Sequence, residues 1–316
     1  INLFPNFIIS LAKVKKACAL TNFELGDLTQ IQKDAIVKAC DKIIAGEFHE
    51  QFIVDPIQGG AGTSTNMNAN EVIANRALEI LGKPKSSYEF IHPNNHINMS
   101  QSTNDVYPTA IKLTLHELIY KLKDALRFLR DCFEEKAIEF KDVLKMGRTQ
   151  LQDAVPMTLG QEFKTFAVMI DDDIYRLRNV QALLKEVNLG ATAIGTGINT
   201  KASYQRKVIS NLREVTGVDY ISAGDLIEAT QDTGSFVHIS GMLKSVAIKI
   251  SKICNDLRLL SSGPRAGFNE INLPPLQPGS SIMPGKVNPV IPEVVNQVAF
   301  EVIGAAMTIA MASEHG

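Results

Sequence analysis

Apolar positions recur along this chain at steps of three and four over long stretches. From Pro108 to Phe140 they fall at Ile111, Leu115, Leu118, Leu122, Leu126, Leu129 and Phe133, one stripe of a helix. A second stretch opens on Thr158-Leu159-Gly160-Gln161, a capping-box spacing, and continues through Phe163, Phe166, Ile170, Ile174, Leu177, Leu184 and Val187. In the third, Ile239, Leu243, Val246, Ile250, Ile253, Leu257 and Leu260 alternate steps of four and three, a heptad seam. A fourth, from Pro292 to the chain end, is apolar nearly all round, the pattern of a helix enclosed by others. Helices of about 30 residues span about 45 Å, well beyond the mean of about 11–12 residues. The pattern predicts an all-α fold: an elongated bundle of long helices that also assembles with copies of itself. No strand-rich region, internal repeat or low-complexity tract stands out.

Composition narrows the picture. The 316 residues are 45% hydrophobic and 21% charged, which excludes a disordered chain. With 32 Lys+Arg against 34 Asp+Glu, the near-neutral balance argues against nucleic acid or an acidic membrane surface as the main partner. The most apolar stretch, Val294 to Ala312, is interrupted by Asn296, Gln297 and Glu301 and predicts a buried helix rather than a membrane span. Cys18, Cys40, Cys132 and Cys254 are scattered, with no CxxC pair and no Cys/His metal spacing. They predict buried free thiols in a reducing, cytoplasmic compartment. The chain does not begin with Met and stops within a helical pattern, so it is expected to be part of a longer protein.

Between the helices lie Gly-, Pro- and Asn-rich loops that a rod-like scaffold would not need. The first, Gly59-Gly60-Ala61-Gly62-Thr63-Ser64-Thr65-Asn66-Met67-Asn68-Ala69-Asn70-Glu71, offers flexible backbone, hydroxyls and amides ahead of a helix expected at Glu71. That arrangement suits a carboxylate, although such a loop is also how a plain turn is built. Asn98 to Asp105 brings neutral donors to a helix N-terminus, fitting an anion or ordinary N-capping. Gly147-Arg148-Thr149-Gln150-Leu151-Gln152-Asp153 precedes the second long helix, where an Arg–Asp pair is most simply structural. Gly279-Ser280-Ser281-Ile282-Met283-Pro284-Gly285-Lys286-Val287-Asn288-Pro289 has the make-up of a mobile loop that closes over a ligand, without phosphate-loop spacing. The run Gly190 to Gly197 also fails that spacing and predicts a structural turn. Four anion-suited loops on one helical frame point to a small dicarboxylate.

The fourth loop matches the GSSxMPxKxNP signature, and GGAGTSTNMNANE, SQSTND and GRTQLQD follow in the same order as other conserved regions of that group. On these motifs the chain resembles the fumarase/aspartase superfamily over essentially its whole length. Gln150, where fumarases carry His, and the stretches Gln152 to Glu162, Cys254 to Ala266 and Pro289 to Val298 resemble its ammonia-lyase branch more closely. The resemblance implies a homotetramer with a twenty-helix core, in which each site draws loops from three subunits. It implies an N-terminal helical domain, 1–105, incomplete at its start, and a central long-helix domain, 106–316, with the small C-terminal domain outside this chain.

The implied reaction is reversible anti elimination of ammonia from L-aspartate to give fumarate. By the same resemblance Ser280 is the general base. Thr63, Ser102, Thr103 and Ser281 bind the β-carboxylate and its aci-carboxylate form. Lys286 and Asn288, assisted by Thr149, hold the α-carboxylate, and Asn104 and Gln150 recognise the amino group. Glu293 supports the site, because its fumarase counterpart pairs with the His that Gln150 replaces. Asn66, Asn68 and Glu71 fit a bracing role equally well, and His92 and His96 a loop role. No cofactor is required, no metal site is identified, and divalent metal (Mg) activation is known in some members. The alternatives are a class II fumarase-type hydratase, another superfamily lyase releasing fumarate, or an inactive structural relative. Gln150 argues against the hydratase, and intact Ser280, Lys286, Asn288, Thr63 and Asn104 argue against inactivity.

Overall fold

The computed structural model describes residues 1–315, which form two compact units interleaved in sequence. The first comprises Ile1–Ile119 and Gln181–Thr233; the second comprises Tyr120–Val180 and the chain from Gly234 onward. A single cut at 105/106 therefore does not reproduce these units. The helix beginning at Thr103 belongs to the first unit through Ile119, because Val106, Ala110 and Leu113 join that unit's core.

In the first unit, helix α1 (Pro5–Glu24) packs against α2 (Gln30–Ile44) and α6 (Tyr204–Thr216). Helix α3 (Thr63–Ile80) packs on α2, and α4 (Thr103–Glu139) starts here. Helix α1 has no single apolar stripe: Ile8, Leu11, Val14 and Cys18 are all fully buried, and so is Lys15. It is the unit's central helix. Two short strands, β3 (Glu186–Val187) and β4 (Ile221–Ser222), pair in parallel, and the short helix α7 (Leu226–Gln231) follows them. Strand β3 holds Val187, so the second periodic stretch ends as a helix earlier than the apolar pattern suggested. Three of the four cysteines, Cys18, Cys40 and Cys254, are buried, and all four are free thiols.

The second unit holds the remainder of α4, helix α5 (Leu159–Leu183) up to Val180, and helices α8 (Gly234–Leu260) and α9 (Val290–Glu314). An edge-to-face cluster of Phe133, Phe140, Phe163 and Phe166 welds α4 to α5, with ring centroids 5.3 to 6.1 Å apart. The capping box at the start of α5 forms as its spacing predicts: Thr158 N donates to Gln161 Oε1 at 2.9 Å, and Gln161 N donates to Thr158 Oγ1 at 3.1 Å. Contrary to expectation, the segment between α4 and α5 is a β-hairpin, β1 (Leu144–Thr149) with β2 (Gln152–Thr158), paired antiparallel and bulged opposite Gly147.

Helix α8 shows half its heptad seam buried at period seven: Ile239, Val246, Ile253 and Leu260. The other half, Leu243, Ile250 and Leu257, is only partly covered. Helix α9 departs from the expectation of burial. It packs on α8, where Asn296 shares hydrogen bonds with Ser251 and Asn255. Within one chain, however, α8 covers little more than Pro292, Asn296, Ala299 and Ala306, and Val298, Phe300, Met307 and Met311 stay exposed. By length and composition alone α9 could cross a membrane, with a mean hydropathy of 1.6 over its most apolar window.

Gly160 shows how tightly the second unit is closed. A Cβ there would lie 2.4 Å from the carbonyl oxygen of Ala137 and 2.8 Å from Cα of Lys141, both backbone atoms that cannot rotate away. Gly160→Ala is expected to lower unfolding free energy by about 3 kcal/mol, as measured by urea titration.

Candidate functional site

The Gly-rich loop reaches its helix earlier than expected. Helix α3 begins at Thr63, not near Glu71, because Gly62 takes the left-handed conformation (φ +84°) that ends the loop. Gly62 also cannot be exchanged for a larger residue, since a Cβ would meet the Tyr107 ring at 2.7 Å. No side chain caps α3 and no acidic residue sits in its first turn. Thr63 and Ser64 are exposed at this end, so their hydroxyls lie at a helix N-terminus, where a carboxylate gains from the helix dipole.

Ser102, Thr103 and Asn104 start α4. Here the capping role is real: Ser102 Oγ accepts from Asn104 N at 3.2 Å, while Ser102 N donates to Asp105 Oδ1 at 3.0 Å. Asn66 joins this start to that of α3, donating from Nδ2 to Thr103 Oγ1 at 3.0 Å and to Asn98 Oδ1 at 3.2 Å. Asn66 is thus a brace between two proposed ligand-facing segments, and Asn68 braces elsewhere by donating to Gln51 O at 3.1 Å. Through Asn66 the first turn of α3, which begins at Thr63, is joined to the start of α4 at Ser102, Thr103 and Asn104.

Beneath them lies a buried network that the sequence did not flag. Lys15 Nζ donates to Asn98 Oδ1 at 3.0 Å and to Gln101 Oε1 at 2.8 Å. Burial lowers the Lys15 amine to a pKa of about 8. Asp105 is fully buried and accepts backbone N–H bonds from Ser102, Gly190 (3.1 Å) and Thr192 (3.0 Å). Burial raises its carboxyl to about 6, against the pull of those three donors. The glycine run Gly190 to Gly197 is accordingly a structural turn wrapped on the start of α4, and Asn104 Nδ2 donates to Ala193 O within it at 2.7 Å.

The second unit carries the other group. Thr149 and Gln150 sit at the tip of the β1–β2 hairpin, where Thr149 pairs with Gln152. Gln150 (φ +53°) and Leu151 (φ +62°) form its two-residue turn, a left-handed pair that usually calls for Asn or Gly. On the loop before α9, Ser280 Oγ accepts from Ile282 N and Met283 N, each at 3.2 Å. The loop is closed at its base by Gly279 N donating to Lys286 O at 2.8 Å and Asn288 Nδ2 donating to Gly279 O at 3.3 Å. Ser281 and Lys286 are exposed. Lys286, Asn288 and Glu293, the last from the first turn of α9, line a cavity of about 820 Å³ with Arg258, Ser262 and Asn272. Among the described residues no hydrogen bond joins Glu293 to Gln150. Among the described residues no group of three or more His, Cys, Asp or Glu side chains is placed to hold a metal ion.

Two outcomes follow from this geometry. Between pH 3.8 and about 6, folded Asp105 keeps its proton while the unfolded chain releases it, so this group makes stability fall as pH rises through that window. Asp105→Asn is expected to flatten that slope in urea titrations at successive pH values, while lowering stability overall because one amide oxygen replaces two carboxylate oxygens and either Ser102 or the Gly190–Thr192 pair loses its acceptor. Gln150→Gly should raise unfolding free energy by about 0.5–1 kcal/mol, since glycine adopts the left-handed conformation freely; the same titration at neutral pH checks it.

Comparison with known proteins places this geometry. A family described as lyase matches residues 3–304. The aspartate ammonia-lyase of Helicobacter pylori is 60% identical over 313 residues, 99% of this chain and 67% of that protein. That of Escherichia coli K12 is 56% identical over 313 residues, 99% of this chain and 66% of the relative. The chain therefore spans about two thirds of the length of these relatives. Among solved structures, fumarate lyase:delta crystallin from Brucella melitensis superposes with a TM-score of 0.98 at 57% identity, covering 100% of this chain and 69% of that one. Class II fumarase from Schistosoma mansoni superposes with a TM-score of 0.95 at 36% identity, covering 99% and 68%. With the family matched over almost all of its length and its helical frame shared, the chain belongs to the lyase family of the fumarase/aspartase superfamily.

Proposed function

We propose that this chain is the larger part of an aspartate ammonia-lyase, which converts L-aspartate reversibly to fumarate and ammonia. The observation that carries the mechanism is the Ser280 hydroxyl, whose oxygen accepts two backbone N–H bonds in a loop that also holds Lys286. A serine is a weak base, and only an oxygen already met by fixed donors near a cation can act as an alkoxide. The 56–60% identity to proteins named aspartate ammonia-lyase supplies the substrate.

Ser280 takes the proton from the carbon beside the β-carboxylate, and the electron pair moves into that carboxylate as an aci-carboxylate dianion. The C–N bond then breaks and ammonia leaves from the opposite face. Thr63, Ser102, Thr103 and Ser281 meet the dianion, where hydroxyl and amide donors strengthen as charge accumulates. The uncapped start of α3 supports this role for Thr63. Lys286 and Asn288, with Thr149, hold the α-carboxylate. Asn104 and Gln150 bind the amino group, and Glu293 supports the cavity wall. In this reading no cofactor is required, and Mg is an activator away from the reacting atoms.

A homotetramer is part of the same proposal. The exposed apolar residues of α9 and the half-covered seam of α8 are surfaces that copies of the chain can bury as a twenty-helix core, with loops from three subunits at each site. Free, mostly buried thiols fit a cytoplasmic enzyme.

The test is fumarate absorbance with the full-length protein, given L-aspartate and, separately, L-malate. Fumarate from aspartate alone is expected, and fumarate from malate alone would replace the proposal with a fumarase-type hydratase. Ser280→Ala should cut turnover by about 1,000-fold or more with the oligomer unchanged by light scattering. Retained activity would remove Ser280 as the base.

A further inference from the structure

The hairpin turn bearing Thr149 and Gln150 is held from outside its own strands. Its two left-handed non-glycine residues carry a conformational cost that persists only where the surroundings over-determine the turn. Those surroundings are visible. Arg148, the residue before Thr149, donates from Nη2 to Glu270 Oε1, and its guanidinium carbon stacks 4.2 Å from the centroid of the Phe268 ring. Lys145, lower on the same strand, places Nζ 2.9 Å from the other oxygen, Glu270 Oε2. It also bonds Glu162 in the first turn of α5.

Glu270 is itself tied down, because its N–H donates to Leu260 O at the end of α8 at 2.8 Å. Ser262 closes the same loop: its Oγ accepts from Phe268 N at 3.0 Å and its carbonyl from Asn269 N at 2.9 Å. The side chains are largely sheltered, Lys145 being 7% exposed, Glu270 18% and Arg148 20%, so these pairs are worth more than surface ion pairs. The turn is thereby triangulated between the start of α5 and the end of α8. Burial alone would raise the Glu270 carboxyl, and the bonds from Arg148 and Lys145 outweigh it and hold it below its ordinary value.

We propose that Glu270, with Arg148 and Lys145, is a positioning network that sets where the Thr149–Gln150 turn meets the substrate. This rests on the aspartate reading of Gln150 given above. None of the three touches substrate; they act through the turn. The bulge opposite Gly147 coils the ribbon so that side chains from two levels of β1 reach one carboxylate.

The test uses Glu270→Gln in the full-length protein, an isosteric change that leaves one acceptor oxygen, replaces the other with an NH2 donor and removes the charge that binds both cations. KM for L-aspartate is expected to rise about tenfold with kcat changed less than about threefold, since small misplacements of a binding group cost that much or more. Hydrogen exchange at the amides of residues 149–152 should accelerate, and the urea midpoint should stay near wild type. Gln150→Ala should then raise KM far less in the Glu270→Gln background than alone, because the turn it modifies is already displaced. Arg148→Lys, which keeps the charge but loses the planar fork, should reproduce the KM effect if Glu270→Gln folds poorly. Unchanged KM and unchanged exchange at 149–152 would overturn the network, as would multiplicative effects of the two substitutions. Wild-type protein that makes no fumarate from aspartate would overturn the substrate reading instead, and the exchange experiment would still decide the network.

Discussion

A carboxylate is expensive to bury unless donors already surround it, and the first unit is built around one that is. Asp105 receives N–H bonds from its own helix start and from two residues of the turn at Gly190 to Thr192. It thus fixes the angle at which α4 leaves its loop, and with it Ser102, Thr103 and Asn104. Lys15 contributes from below, anchoring Asn98, which in turn accepts from Asn66 between the two helix starts. The Ser102 and Thr103 hydroxyls are each held by a polar contact, from Asn104 N–H and from Asn66, beside the Asp105 and Lys15 network. Buried networks of this kind are costly when incomplete, and this one spends its donors and acceptors on orientation.

The second unit solves the same problem with different means. Its hairpin is tied to helix ends through Glu162 and Glu270, and its Ser280 loop is closed on itself by the bonds of Gly279 with Lys286 and Asn288. The aromatic cluster of α4 and α5 and the seam of α8 make those helix ends firm reference points. Long helices serve here as rulers: a site built on their ends inherits their rigidity. The exposed face of α9 belongs to the same economy of design, since a helix apolar nearly all round is stable only when more than one neighbour covers it.

What the sequence disclosed follows the range of the forces involved. The α5 capping box and the α8 heptad were legible because they depend on residues three to seven apart. The start of α3 was placed too late because Thr, Ser and Asn look like loop formers, whereas Gly62 had already ended the loop. The hairpin escaped notice because its turn is Gln150-Leu151, without the Asn-Gly signal that usually betrays such a turn. Lys15 carries no local signal, because its partners lie 83 and 86 residues away. Glu270 was invisible for the same reason, being 122 residues from Arg148. The residues proposed to touch substrate came from the resemblance to a known family; of those that hold them in place, Asn66 was open to a bracing role in the sequence, while Lys15 and Glu270 emerged only from the fold.

Two departures from local rules fall where chemistry is proposed. Helix α3 lacks a side-chain cap although Ser and Thr are plentiful beside it, and the hairpin turn uses glutamine and leucine where glycine would relax it. Both choices cost stability locally. A capped α3 would offer its amide donors to its own side chain and not to a carboxylate, and a glycine turn would have no amide group to present. Strain and unsatisfied donors are retained because the interior compensates: Glu270 and its cations at one site, Asn66 and the Asp105 frame at the other.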